Sequence, residues 1–167
     1  MIPQTLTNLN LFIAGRGCAG RVMEIQLPKL KRKAEGYRAG GMDAEIDMPV
    51  GLEKLEGGFT LAGIDPDTLA FFGIADGTQF SGRFHGAMRD QKGAVVAVIV
   101  TWRGLLVEVD MGNWKPGDKS ETKCTATLSY YKLEVVNKVM FEIDPVACIR
   151  IINGTDELAA ERAAIGL

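Results

Sequence analysis

Apolar side chains return at every second position along much of this chain, and that period suits half-buried antiparallel strands. Leu9, Leu11 and Ile13 alternate with Asn8, Asn10 and Phe12; Met23, Ile25 and Leu27 alternate with Glu24 and Gln26 before Pro28 stops the run. Leu55, Gly57, Phe59 and Leu61 share a face opposite Glu56, Gly58 and Thr60. Phe80, Phe84 and Met88 lie opposite Gln79, Ser81, Arg83 and His85, and Cys124, Ala126, Leu128 and Tyr130 lie opposite Lys123, Thr125, Thr127 and Ser129. Asn137-Lys138 reads as a hairpin turn between Leu133–Val136 and Val139–Ile143. Helical signals are few. Asp65 followed by Pro66 marks a short helix that Gly73 closes, and Thr155 is placed to cap a second one ending at Gly166. The expected fold is mainly β, sandwich- or barrel-like, with one short flanking helix and a short C-terminal helix in a single domain over 1–167.

Two segments depart from simple alternation. From Ala94 to Val109 the chain is apolar or β-branched on both faces, interrupted by Arg103-Gly104, which reads as a bulge. A monomer that left the outer face bare would carry an aggregation site, so this face needs a helix of the same chain, a neighbouring subunit, or both. Residues 36–51 mix glycines, acids and methionines without a period and read as a long loop or projecting hairpin. Met42, Ile46 and Met48 are too apolar for plain disorder, so the segment reads as an arm that orders on a partner.

Composition narrows function by exclusion. A length of 167 residues supports a core without disulfides or metal. The net charge of −2 argues against a surface dedicated to gripping phosphate backbones. No run reaches the ~20 apolar residues of a membrane helix, so stable membrane insertion of the monomer is not expected. The first residues lack the basic region of a secretory signal. Cys18, Cys124 and Cys148 are scattered and read as free thiols, and with one histidine in the chain no zinc-ligand spacing exists.

The remaining motifs have plain readings. Gly15, Gly17 and Gly20 match the spacing of a dinucleotide-binding turn, with Glu35 downstream, but Arg21–Leu27 reads as a strand where a helix should begin. A glycine-rich hairpin turn is the reading taken. His85 sits on a polar strand face with Ser81 and Arg83 and without a nucleophile elbow, so it reads as a solvated strand histidine. Asp43/Asp47 and Asp65/Asp67 read as turn and cap residues. Lys29, Lys31, Arg32 and Lys33 form the one basic cluster. It is read as a solvated strand face or as an electrostatic contact with an acidic partner subunit.

Taken in order, longer stretches become specific. Met1–Asn8 with the Leu11-Phe12-Ile13 that follows, Leu27–Leu30, Tyr37–Ala44 with Ile46–Met48, Arg103–Asp110, Trp114–Gly117, Tyr130–Val135, Glu142–Pro145 and Ile152–Ala159 together resemble the major tail tube proteins of contractile-tailed phages and R-type pyocins. The likeness runs the length of the chain, although the Lys29–Lys33 cluster, Met48–Gly51, Gly57-Gly58 and the cysteines differ from the family pattern. The resemblance implies a structural subunit without catalytic residues, cofactor or metal. Six copies would form a ring, four strands from each would join an inner barrel, and rings would stack into a hollow tube. Its implied partners are itself, the sheath, the baseplate or tube initiator and the tail terminator, with DNA in transit if the particle is a phage. It would reside in a virion tail or tailocin, assembled in the bacterial host cytoplasm.

On that basis Arg38, Met42, Asp43, Ile46, Asp47 and Met48 are the expected inter-subunit or inter-ring contacts. Lys29, Lys31, Arg32 and Lys33 are the expected sheath or subunit contacts. A bore that lets DNA slide should be neutral or acidic, which makes Thr125, Thr127 and Ser129 the expected lining. Two rivals remain in view: a ligand-binding β-barrel, and a dinucleotide enzyme built on Gly15, Gly17 and Gly20.

Overall fold

The computed structural model describes residues 2–73 and 80–167, so Met1 and Gln79, both named above, lie outside the described residues. In chain order the elements are β1 Thr5–Ile13, β2 Arg16–Gly17, β3 Val22–Gln26, β4 Arg32–Tyr37, β5 Ile46–Leu52, β6 Glu56–Ala62, α1 Pro66–Ala70 with a 3-10 turn Phe71–Gly73, β7 Phe80–Arg89, β8 Val95–Asp110, β9 Glu121–Val135, β10 Lys138–Asp144, β11 Ile149–Ile152, β12 Thr155–Asp156 and α2 Ala159–Ile165. The fold is mainly β with two short helices, as the alternation predicts.

The long strand β9 organises the sheet. One edge pairs with β8 along most of its length. The other edge is divided: Glu121–Thr127 pairs with β6, and Tyr131–Val135 pairs with β10. Beyond β8 the order runs β7, β1, β2; beyond β6 comes β3; beyond β10 come β11 and β12. Every pairing among the described residues of this sheet is antiparallel. β3 returns alongside β1, so β1, β7, β8, β9, β6 and β3 curl into a barrel-like cylinder. A cleft lined by Leu6, Asn8, Met23 and Ile25 keeps its seam open.

Inward-facing residues of these strands fill the cylinder. Leu11, Ile13, Phe59, Leu61, Phe84 and Trp102 are almost fully buried. Phe84 meets Trp102 edge-on at 4.8 Å between ring centroids, and Phe59 stacks on Phe80 at 5.3 Å. Gly57 makes room for the indole: a Cβ there would lie 2.6 Å from the Trp102 ring. The 3-10 turn adds Phe71, which packs edge-on against Phe80.

Bulges change which residues face the core. Opposite Arg103-Gly104 the register shifts and Ser129 is the extra residue on β9. The expected inward Tyr130 therefore turns outward and Tyr131, 2% exposed, takes the core position. A second shift at Met23 of β3 leaves Met23 half exposed and turns Val22 and Ile25 inward. The hairpin after β9 turns through Val136-Asn137, both at positive φ, one residue earlier than read from the sequence.

The helix ends also differ from expectation. Thr155 does not cap α2; it pairs with Ile152 in β12, while Asp156 accepts a hydrogen bond from the Leu158 amide and an ion pair from Arg162. The stop is as expected, with Gly166 left-handed at φ 80°. Asp65 precedes α1, but its carboxylate bonds Arg16, Arg21 and Thr68 rather than a helix amide.

All of the expected Ala94–Val109 segment except Ala94 falls in one long strand, β8. Among the described residues no helix covers its outer face: Val95, Leu105 and Val107 stay half exposed. The expected intrachain cover is thus absent, because α1 and the turn after it are drawn to the core through Thr68 and Phe71.

Candidate assembly surfaces

Residues 32–52 form a projecting hairpin. Among the described residues, β4 and β5 pair only with each other, from Arg32↔Leu52 to Tyr37↔Ile46, in a two-stranded sheet separate from the main one. A bare two-stranded hairpin is marginal in water. On this one, Tyr37, Ile46, Met48 and Val50 keep 49%, 54%, 50% and 51% of their surface exposed. Tyr37 stands opposite Ile46, and Glu35 opposite Met48, so these side chains share one face of the arm.

The six expected arm contacts divide by position. Ile46 and Met48 lie on the apolar face. Asp47, opposite Gly36, belongs to the other face. Arg38, Met42 and Asp43 build the tip, where Arg38 Nε donates to the Met42 carbonyl at 3.4 Å and the Ala39 amide to Met42 Sδ at 3.3 Å. Met42 is half-buried in its own turn. Sequence reasoning missed Tyr37 and Val50, although strand alternation carried through the arm would have placed them beside Ile46 and Met48.

The basic cluster is not one patch. Lys29 and Lys31 lie in the link between β3 and β4, and Arg32 and Lys33 begin β4. Lys31 pairs with Glu53 at 3.5 Å, and Arg32 with Glu157 at 3.4 Å. Arg150 joins the same Glu157 at 2.8 Å. Pairing within the chain reduces what Lys31 and Arg32 can offer another molecule.

A second surface is the outward face of the wide sheet. Thr125 and Thr127 lie on it, alternating with the buried Cys124, Ala126 and Leu128. Ser129 sits at the bulge and its hydroxyl donates to the Arg103 carbonyl at 3.3 Å. The Thr127 hydroxyl is buried without a hydrogen-bond partner among the described residues. Nearby, the Arg103 guanidinium lies 4.2 Å above the Tyr130 ring and Lys132 pairs with Glu134 at 3.3 Å. Burial, with a hydrogen bond to Glu142, pushes the Tyr130 hydroxyl up to about 12. Further across, His85 stands edge-on to Phe12 at 5.3 Å. Burial, helped by Arg83, lowers its pKa below the ordinary histidine value. His85 is half-buried against an aromatic ring rather than freely solvated.

The glycine-rich turn belongs to neither surface. Ala14-Gly15 turns β1 into β2, and β3 follows where a nucleotide-binding helix would have to start. Arg16 and Arg21 from this turn converge on Asp65, 3% exposed, at 2.8 and 3.3 Å. Burial works to raise the Asp65 pKa, but the hydrogen bonds from Arg16 and Thr68 and the charges of both arginines hold it below the usual carboxylate range. The arrangement ties the turn to α1.

The model of the family described as phage tail tube protein FII matches residues 3–166. The chain belongs to that family. As a tail tube protein it is 33% identical to the tail tube protein of Escherichia phage P2 over 99% of both chains. It is 30% identical to the major tail tube protein of Serratia phage KSP20, covering 86% of this chain and 84% of that one. In fold, this tail tube protein resembles a chain of the extended sheath–tube complex of an extracellular contractile injection system. That match has a TM-score of 0.60 at 8% identity and covers 80% of this chain and 93% of the other. A chain of the anti-feeding prophage tube-terminating cap matches at 0.61 and 8% identity, over 80% of this chain and 92% of the other. A tail tube protein is a structural subunit, not an enzyme, and the two rival readings fall. The glycine turn is a hairpin, and the barrel interior is packed with aromatic side chains.

Proposed function

We propose that six copies of this tail tube protein close into a ring and that rings stack into a hollow tube inside a contractile sheath. The tube begins on a baseplate or initiator and ends at a terminator, and sheath contraction drives it through a bacterial envelope. It conducts DNA in a phage and ions in a headless tailocin. Assembly takes place in the bacterial host cytoplasm, and the monomer neither binds nucleic acid specifically nor inserts stably in a membrane.

The observation that carries this reading is the bare arm. Its apolar face, with Tyr37, Ile46 and Met48, touches no core and needs a second molecule to cover it. The arm contributes Arg38, Met42, Asp43, Ile46, Asp47 and Met48 to the neighbouring subunit or ring. The half-exposed Val95 of β8 is covered by a further contact between copies, while Leu105, opposite Thr127, shares the face of the bore. Lys29, Lys31, Arg32 and Lys33 lie away from the bore and face the sheath or a partner subunit. The bore is lined by the hydroxyl-bearing strip Thr125, Thr127 and Ser129 of the wide sheet, because uncharged hydroxyls do not hold a sliding polyanion.

Negative-stain microscopy of concentrated purified protein, with light scattering for a sixfold mass, tests the reading. Tubes or rings are expected. A monomer at every concentration would overturn it.

A further inference from the structure

At the base of the arm lies a groove of about 650 Å³, within the range of roughly 300–1,000 Å³ that accepts a compact ligand or a few side chains. Leu52, Leu55, Leu128, Ile143, Ile149 and Leu158 contribute to its apolar lining, with Pro49 and Val50 of β5 on the arm side. We propose that this groove is the acceptor for the arm of a second copy, whose Tyr37, Ile46 and Met48 fill it. The proposal rests on the reading of the arm as an inter-subunit contact and names where the arm lands.

The distal end of the arm, with Tyr37 and Ile46, cannot reach the groove in its own chain, although Pro49 and Val50 at the arm's base border it. Leu52, in the groove, is paired with Arg32 at the arm's base, whereas Tyr37 and Ile46 pair at its far end. Five further residues of strand place them about 15–20 Å away, given roughly 3.3 Å per residue. Folding back would break the register. The donor and acceptor are different patches on one molecule, so the contact is head-to-tail. Repeating it closes a ring or extends a filament.

Charge favours the same occupant. The arm's distal end carries Asp43, Glu45 and Asp47 against the single Arg38. On the groove wall, Arg32 and Arg150 share one carboxylate, Glu157, which leaves a positive charge unmatched. Glu161 lines the side formed by α2 and suits Arg38. An acidic tip entering along the arginine wall is thus matched.

Two kinds of copy test the proposal, both carrying Cys148→Ser to remove the partly exposed thiol beside the groove. One has Met48→Cys and the other Leu158→Cys. Cys18 and Cys124 are buried, and burial pushes the Cys124 thiol up to about 11, so neither competes for a maleimide. Tubes assembled from the mixture and treated with a short bismaleimide should give covalent dimers that neither copy gives alone. Ile46→Cys with Pro145→Cys is the second pair. Leu158→Glu, on the cysteine-intact chain, should lower tube yield roughly tenfold or more while the monomer melts normally.

Tubes that form without cross-links at either pair overturn the groove assignment, as does full tube yield from Leu158→Glu. Deletion of Gly41–Asp47 separates the two levels. If it abolishes tubes while the cross-links fail, the arm contact stands and only its landing place is wrong. If full-length tubes persist, the arm reading falls and this inference with it.

Discussion

Gly104 of β8 lies directly against the carbonyl of Thr127 on β9: a Cβ at Gly104 would fall on that oxygen and within 2.9 Å of the Leu128 Cα. Both obstacles are backbone, so neither can rotate aside. The close approach occurs where Ser129 bulges, at the pairing of the two longest strands. Gly104→Ala should therefore destabilise by about 3 kcal/mol or more, at the upper end for overpacking. Urea unfolding checks this; a loss under 1 kcal/mol, on the order of an ordinary surface change, would contradict it.

A neighbouring position should respond the other way. The Thr127 hydroxyl is buried with no partner among the described residues. Thr127→Val keeps the shape and removes the orphaned group, so a gain of about 1 kcal/mol is expected. Thermal melting gives the sign, and a lower Tm would show that the hydroxyl is in fact satisfied.

The Asp65 clamp should make stability acid-sensitive. A carboxyl whose pKa is lower in the folded chain binds its proton more readily when unfolded, so its contribution is full above the unfolded pKa of about 3.9. That contribution fades as pH falls from there through the lower folded value. Asp65→Asn should cost about 1–3 kcal/mol at pH 7 and less near pH 3. Equal losses at both pH values would show that the charge is not what holds the turn to α1.

His85 offers a second titration, made simple because it is the sole histidine. Its lowered folded pKa means that the unfolded chain protonates first. Stability should be full above about pH 6.5 and decline as pH drops below it. The imidazole resonances in a proton NMR titration should show a midpoint under that value. A midpoint above it would mean that neither burial nor Arg83 governs the ring.

The arm should separate folding from assembly. Ile46→Ser with Met48→Ser alters side chains that are half exposed, so the monomer should change by no more than about 0.5 kcal/mol per site. Tube formation should nevertheless be lost. Microscopy beside a melting curve reads both, and intact tubes would refute the arm's role.

β11 and β12 were not legible as strands, whereas the longer strands β1, β3 and β6 to β10, the two short helices, the projecting segment and the hairpin nature of the glycine turn were legible in the sequence. Each depends on periodicity or on backbone chemistry that a few neighbouring residues express. The family was legible too, because ordered stretches from end to end carry it. Bulges were not, since an extra residue such as Ser129 is defined only by its partner strand. That is why Tyr130 and Tyr131 exchanged places and Met23 turned outward. The N-cap read at Thr155 failed for a related reason, as pairing with Ile152 took that residue into β12.

The alternation by itself determined that this chain makes a sheet with more apolar surface than one interior needs. Only the tertiary structure decided which of that surface remains bare. Tyr37, Ile46 and Met48 stay exposed because the arm pairs with nothing but itself, while Leu52 and Leu55, a few residues on, line a groove against β9 and β10. Side chains close in sequence can thus be donor and acceptor of one contact, because burial depends on what the rest of the chain brings near.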